Sequence, residues 1–135
     1  SAMHHVYEQI IEQSEDWEIL EGLIEHLYEF AQAEFRLDKR PDNSKATQRE
    51  HLQVIEQQLG ITPEELNNPP PNIAVGYLLE YFYAVSSSRQ CGMSANPITF
   101  SEILAWSQLA NTSLARWEVE VIKRLDILWL NIQAE

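Results

Sequence analysis

Apolar residues recur every three or four positions through the first 35 residues: Val6, Ile10, Trp17, Leu20, Ile24, Leu27, Ala31 and Phe35, with acids between them. That period is helical, with one apolar face and one charged face. Glu21, Glu25 and Glu29 stand at i, i+4 spacing and repel mildly, so this helix depends on packing rather than standing alone. Ser14 is placed to cap a helix entering at Glu15, which makes a break there an alternative to one long helix. Residues 36 to 45, "RLDKRPDNSK", read as a polar loop interrupted by Pro41. Asp38, Asp42 and Ser44 lack the glycine and closing glutamate of a calcium loop.

The pattern then repeats in shorter units. Thr47 and Glu50 have the spacing of a capping box; Leu52, Ile55 and Leu59 form a stripe, and Gly60 is a C-terminal stop. "ITPEEL" offers a second start: Thr62 as cap, Pro63 in the first turn, Glu65 reaching back, and Ile61 and Leu66 as a hydrophobic staple. Three prolines in "NNPPPN", residues 67 to 72, make a stiff extended spacer. It separates an acidic N-terminal helical region, 1–68, from a C-terminal helical region, 69–135, the two packed as one domain. "IAVGYLLEYFYAVSSSR" is apolar nearly all round, as a helix buried on most sides must be, although its aromatic content also suits a strand. After a loop of about a dozen residues, Thr99 and Glu102 form another capping box, with Pro97 stiffening the approach and Ile98 and Ile103 as staple. Ile103, Trp106, Leu109 and Ala110 predict the buried face of that helix, and residues 111 to 113 turn the chain. Leu114, Trp117, Val121, Leu125, Leu128 and Ile132 carry the last helix, with Glu120 and Arg124 paired outside. The expected fold is all-α, a compact bundle of five or six helices with no sheet. Its core should include Trp17, Leu20, Ile24, Leu27, Leu78, Phe82, Ile103, Trp106, Trp117, Val121, Leu125 and Leu128.

Charge narrows the function. The 135 residues suit one domain, and they carry 21 acids against 9 Lys and Arg, a net of −12. From Ser1 to Phe35 there are nine acids and no Lys or Arg, a surface that a nucleic-acid duplex repels. The last two helices, joined by a short turn, resemble a DNA-reading pair only in outline, since Glu118 and Glu120 follow Arg116 where bases would be read. Glu18, Glu21, Glu25 and Glu29 are either a solvated helix face or the docking surface for a basic partner. No apolar run is long enough for a bilayer, and the succession of regions that marks a signal peptide is missing. A single cysteine, Cys91, excludes an internal disulfide.

No residue constellation points to catalysis. His4, His5, His26 and His51 are scattered without metal-ligand spacing, Cys91 has no histidine near it in sequence, and no glycine-rich phosphate loop is present. No cofactor is expected. One polar position stands out structurally. Asp126 interrupts the apolar run "RLDILWL", where an unpaired carboxylate is costly. Arg89, between a buried helix and a long loop, is a candidate partner for it, with Glu102 the other candidate carboxylate.

Ser88-Arg89, the glycine-containing loop, "NPITFSEI" at 96 to 103, Ala105-Trp106, "WEVE" at 117 to 120 and Leu125-Asp126 together resemble a small tail-associated family of long-tailed bacteriophages, the tail assembly chaperones. The resemblance covers roughly residues 72 to 130. One departure is Ala115-Arg116, where the family pattern has Asp-Pro; the lost cap leaves Thr112 or Ser113 to start the last helix. What the resemblance implies is a non-enzymatic helper of tail building. It would bind the helical tape-measure protein, the tail tube protein or both, in the cytoplasm of the bacterial host, with self-association also open. An acidic immunity or inhibitor protein that neutralises a basic toxin or nuclease is the alternative from another class.

Overall fold

A computed structural model describes residues 2–135, with side chains from Glu15 onward. Five α-helices and one 3₁₀ turn make up the secondary structure of these residues: α1 (Ala2–Asp38), α2 (Gln48–Leu59), the turn (Glu64–Leu66), α3 (Ile73–Ser86), α4 (Phe100–Leu109) and α5 (Arg116–Ala134). Among them there is no sheet; one isolated antiparallel bridge, Cys91 with Ala95, closes the loop after α3. α1 passes through Ser14 as one helix, and Val6, Ile10 and the Ser14 cap fall on side chains outside those described.

Local chemistry explains most of the boundaries. Thr47 and Thr99 each cap their helix through a reciprocal box with Glu50 and Glu102. Gly60 ends α2 at φ +71°, the left-handed region open to glycine. Asn72 caps α3 by accepting from Ala74 N at 2.8 Å. α4 ends in a Schellman motif on Asn111, at φ 51°: Thr112 N donates to Ser107 O at 2.8 Å and Asn111 N to Gln108 O at 3.2 Å.

Several expected boundaries are corrected. α1 continues through Arg36-Leu37-Asp38, where Leu37 is buried although it stands outside the stripe of Leu27, Ala31 and Phe35. Thr62 does not cap; the turn starts at Pro63 without a side-chain bond, and Ile61 is exposed, so the Ile61–Leu66 staple is not built. Neither Thr112 nor Ser113 starts α5. Ala115 holds that position, and Glu118 Oε1 accepts from Ala115 N at 2.7 Å, half of a capping box supplied from inside the helix. Arg124 is not the partner of Glu120, which instead takes Arg116 at 3.1 Å, also at i, i+4.

The core is one cluster. Ile24, Leu27, Ala31 and Phe35 from α1 meet Leu78, Phe82 and Val85 from α3, and Val121, Leu125, Leu128 and Ile132 from α5. α1 and α5 run side by side in the same direction: Lys39 Nζ donates to Ile132 O at 2.8 Å and Arg36 pairs with Glu135 at 2.9 Å, while Tyr28 lies in the field of Glu120 and Arg124. Counting back from Tyr28, the start of α5 is level with about residue 22 of α1. Trp17 therefore lies beyond the cover of α5 and is 45% exposed, against the expectation that it is core. Leu20, Trp106 and Trp117 are half-buried at the edge of the cluster rather than inside it. Ile55, Leu59 and Leu109 are exposed, as is Ala110. α2 buries only Leu52, and α4 buries Ile103 and Ser107.

Candidate partner-binding surfaces

Arg89 and Asp126 form the polar centre of the C-terminal half. Arg89 Nη2 lies 2.6 Å from Asp126 Oδ1, and both side chains are almost wholly buried. Asp126 Oδ1 and Arg89 Nε make no aligned hydrogen bond, so charge rather than directional bonding holds this contact. The rest is well directed. Ile98 N donates to Asp126 Oδ2 at 2.8 Å, Arg89 Nη1 donates to Asn96 O at 2.9 Å and Nη2 to Ser86 Oγ at 3.0 Å. The guanidinium carbon sits 4.2 Å over the Trp129 ring. Lys123 Nζ donates to Ile98 O and stands 4.9 Å over the Phe100 ring. Four elements are thus tied at one point: the end of α3, the loop after it, the entry to α4, and α5. Glu102 is not in this contact set; its Oε1 serves the Thr99 cap.

That point aims α4, and α4 forms one wall of an open groove of about 740 Å³. Phe100, Leu104 and Gln108 line it from α4, with Ile103 and Ser107 buried beneath; Leu114 and Val119 face them from the far side. Phe100 is 66% and Leu104 58% exposed. Trp106, on the opposite side of α4, packs on Tyr81 of α3 with ring centroids 4.8 Å apart, which seats the helix without filling the groove. Glu118 fixes the start of α5 from two directions, since its Oε2 also accepts from Tyr77 OH at 2.6 Å. Burial and then that carboxylate push the Tyr77 hydroxyl well above its ordinary range.

Glu18, Glu21, Glu25 and Glu29 are all exposed, along one face of α1 turned away from the core stripe. Burial and then Glu25 raise the Tyr28 hydroxyl beside them. The structure does not bring these acids together with Arg89, Asp126 or α4. Among the described residues no group of three or more His, Cys, Asp or Glu is arranged to hold a metal, and no helix is long and apolar enough to cross a membrane.

Residues 55–131, more than half of the chain, match the family model described as phage tail assembly chaperone. The chain belongs to that family. It is therefore a tail assembly helper by family, and protein partners in the phage tail follow from the same membership. The matched segment begins inside α2, upstream of the Pro69–Pro71 spacer, and contains the groove and the Arg89–Asp126 pair; α1 lies outside it. Comparison with curated proteins and with solved structures returns no match.

The pairing of Arg89 with a carboxylate of the last helices was readable from one polar residue in an apolar run. The groove was not. Its signal was present: Phe100 and Leu104 stand at i, i+4 on the side of α4 away from Trp106. An apolar residue on a short helix reads as core until the packing partner proves to be missing. The Asn111 terminator and the double role of Glu118 were also missed. The first was legible as an asparagine just past an apolar stripe. The second needed the approach of α3.

Proposed function

We propose that this chain is a non-enzymatic helper that holds a helical segment of the tape-measure protein, and brings tail tube subunits to it, in the cytoplasm of the infected host. The observation that carries this reading is that the family-matched segment contains an open, uncharged groove with Phe100 and Leu104 exposed along the α4 wall. A long helical client exposes apolar stripes before assembly, and a groove of this kind covers them. The exposed acids of α1 add a second contribution: Glu18, Glu21, Glu25 and Glu29 attract a basic client and speed its approach without supplying most of the affinity.

Coexpression tests it. The chain is produced with the tape-measure protein and, separately, with the tail tube protein encoded by the same phage. Greater solubility of the tape-measure protein and its copurification with the chain are expected. If neither tail protein copurifies and neither gains solubility, the helper reading is wrong for this chain.

A further inference from the structure

We infer that the groove between α4 and the start of α5 is the seat of an uncharged amphipathic helix of the client, distinct from the acidic face of α1. The inference rests on the reading that the chain binds a helical tail protein, and adds where and by what chemistry. The α4 side of the groove is lined at positions 100, 103, 104, 107, 108 and 111. These fall at i, i+3, i+4, i+7, i+8 and i+11, one continuous stripe from the first residue of α4 to its terminator. At 1.5 Å per residue that stripe is roughly 16 Å long, about three turns of helix. An occupant helix laid along it presents anchors at i, i+3 or i+4, and i+7.

The lining chooses the chemistry. None of the ten residues around the groove is Asp, Glu, Lys or Arg, although the chain carries a net charge of −12. Five of the ten are apolar and five are Ser, Thr, Asn or Gln, so an occupant sets apolar side chains on Phe100, Ile103, Leu104, Leu114 and Val119 and meets uncharged hydrogen-bonding groups beside them, while a charged side chain finds no counter-charge in the lining. Lys123 touches the Phe100 ring but is outside the lining, and its ammonium is engaged with Ile98 O. Charge also argues against a second copy as occupant. Two bodies at −12 repel, and this groove holds no cation to relieve that repulsion. The two surfaces thus divide the work. The acids of α1 govern approach and salt dependence; the groove governs residence time.

The test uses the full chain and a synthetic amphipathic helix with Leu at i, i+4, i+7 and i+11 and only Ala and Gln elsewhere. A twin with Lys at the Gln positions serves as the charged probe. Leu104→Ser alters the groove wall, and Leu59→Ser, at an exposed apolar position on α2, is the control. Helicity of each variant is checked first; both positions are exposed, so both variants should fold. The neutral helix is expected to bind the parent chain with little salt dependence, to bind Leu104→Ser roughly tenfold more weakly, and to bind Leu59→Ser unchanged. Failure of the neutral helix to bind the parent, or equal binding to Leu104→Ser, overturns the inference. So does a sedimenting dimer of the parent that Leu104→Ser abolishes, because the groove then seats a second copy. Copurification with the tape-measure protein separates the two levels. If parent and Leu104→Ser retain it alike, the groove assignment fails and the helper function stands. If the peptide binds but the parent retains no tail protein, the function fails and the groove stands.

Discussion

Replacing Arg89 by methionine leaves the Asp126 carboxylate buried with one hydrogen bond, from Ile98 N, and no counter-charge. Breaking a buried pair from one side costs about 3–5 kcal/mol, mostly because the surviving charge is stranded. The contact of Arg89 with Trp129 and its bonds to Asn96 O and Ser86 Oγ are lost as well. Methionine fills much of the arginine stem, so a cavity adds little. Against a total stability of about 5–15 kcal/mol for a domain, the loss is a large fraction. Urea unfolding followed by circular dichroism reads it, with Asp126→Asn and the double variant Arg89→Met/Asp126→Asn completing the cycle. The double variant should lie well above the sum of the singles, since it strands neither charge. A loss below about 1 kcal/mol for Arg89→Met, or additive singles, refutes the claim that this pair holds the loop and α4 to α5.

Thr99→Ala should lower stability by about 1 kcal/mol through the lost cap, and an unchanged urea midpoint counts against the box. Gly60→Ala should cost about 1 kcal/mol, because alanine is strained at the left-handed conformation of Gly60; a neutral result means that the α2 terminus rearranges freely. The Tyr83 hydroxyl is pushed up to about 12 by burial and by Asp38 and Glu34, and that of Tyr77 is also raised. Both groups hold their protons in the folded state after the unfolded chain, near its ordinary value of about 10, has lost them. Their contribution is complete below that value and disappears as pH rises through the folded values. Tyr77→Phe/Tyr83→Phe should therefore flatten the fall in thermal midpoint above about pH 10; identical alkaline profiles for parent and variant exclude the tyrosines as its cause. Glu21→Lys/Glu25→Lys should slow association with the tape-measure protein and weaken its salt dependence with little change in dissociation rate, whereas a change confined to dissociation makes the acids part of the contact itself.

The helices were legible wherever local chemistry marks them. Capping boxes at Thr47 and Thr99, the stop at Gly60 and the 3.6-residue stripes of α1 and α5 all act within a few residues, so their signals are written close together in the chain. Failures came where a partner decides. Trp17 continues the apolar stripe of α1 but lies past the start of α5, and no local rule states where a neighbouring helix begins. Leu109 and Ile55 fit their stripes and are exposed, because α4 and α2 each meet the body along a narrow strip. Thr62 and Glu65 have capping-box spacing, yet only a single 3₁₀ turn forms before the prolines. The candidate surface divided in the same way. The acids of α1 stand out in the composition, while the groove exists only because none of the described residues covers Phe100 and Leu104.

Hydrogen exchange of the chain, free and in its copurified complex with the tape-measure protein, tests the central claim most directly. Amides of α4 and the first turns of α5 should gain protection in the complex, and Leu104→Ser should reduce that gain. A complex that protects only α2 and α3, or one in which no amide of the chain is protected, contradicts the account.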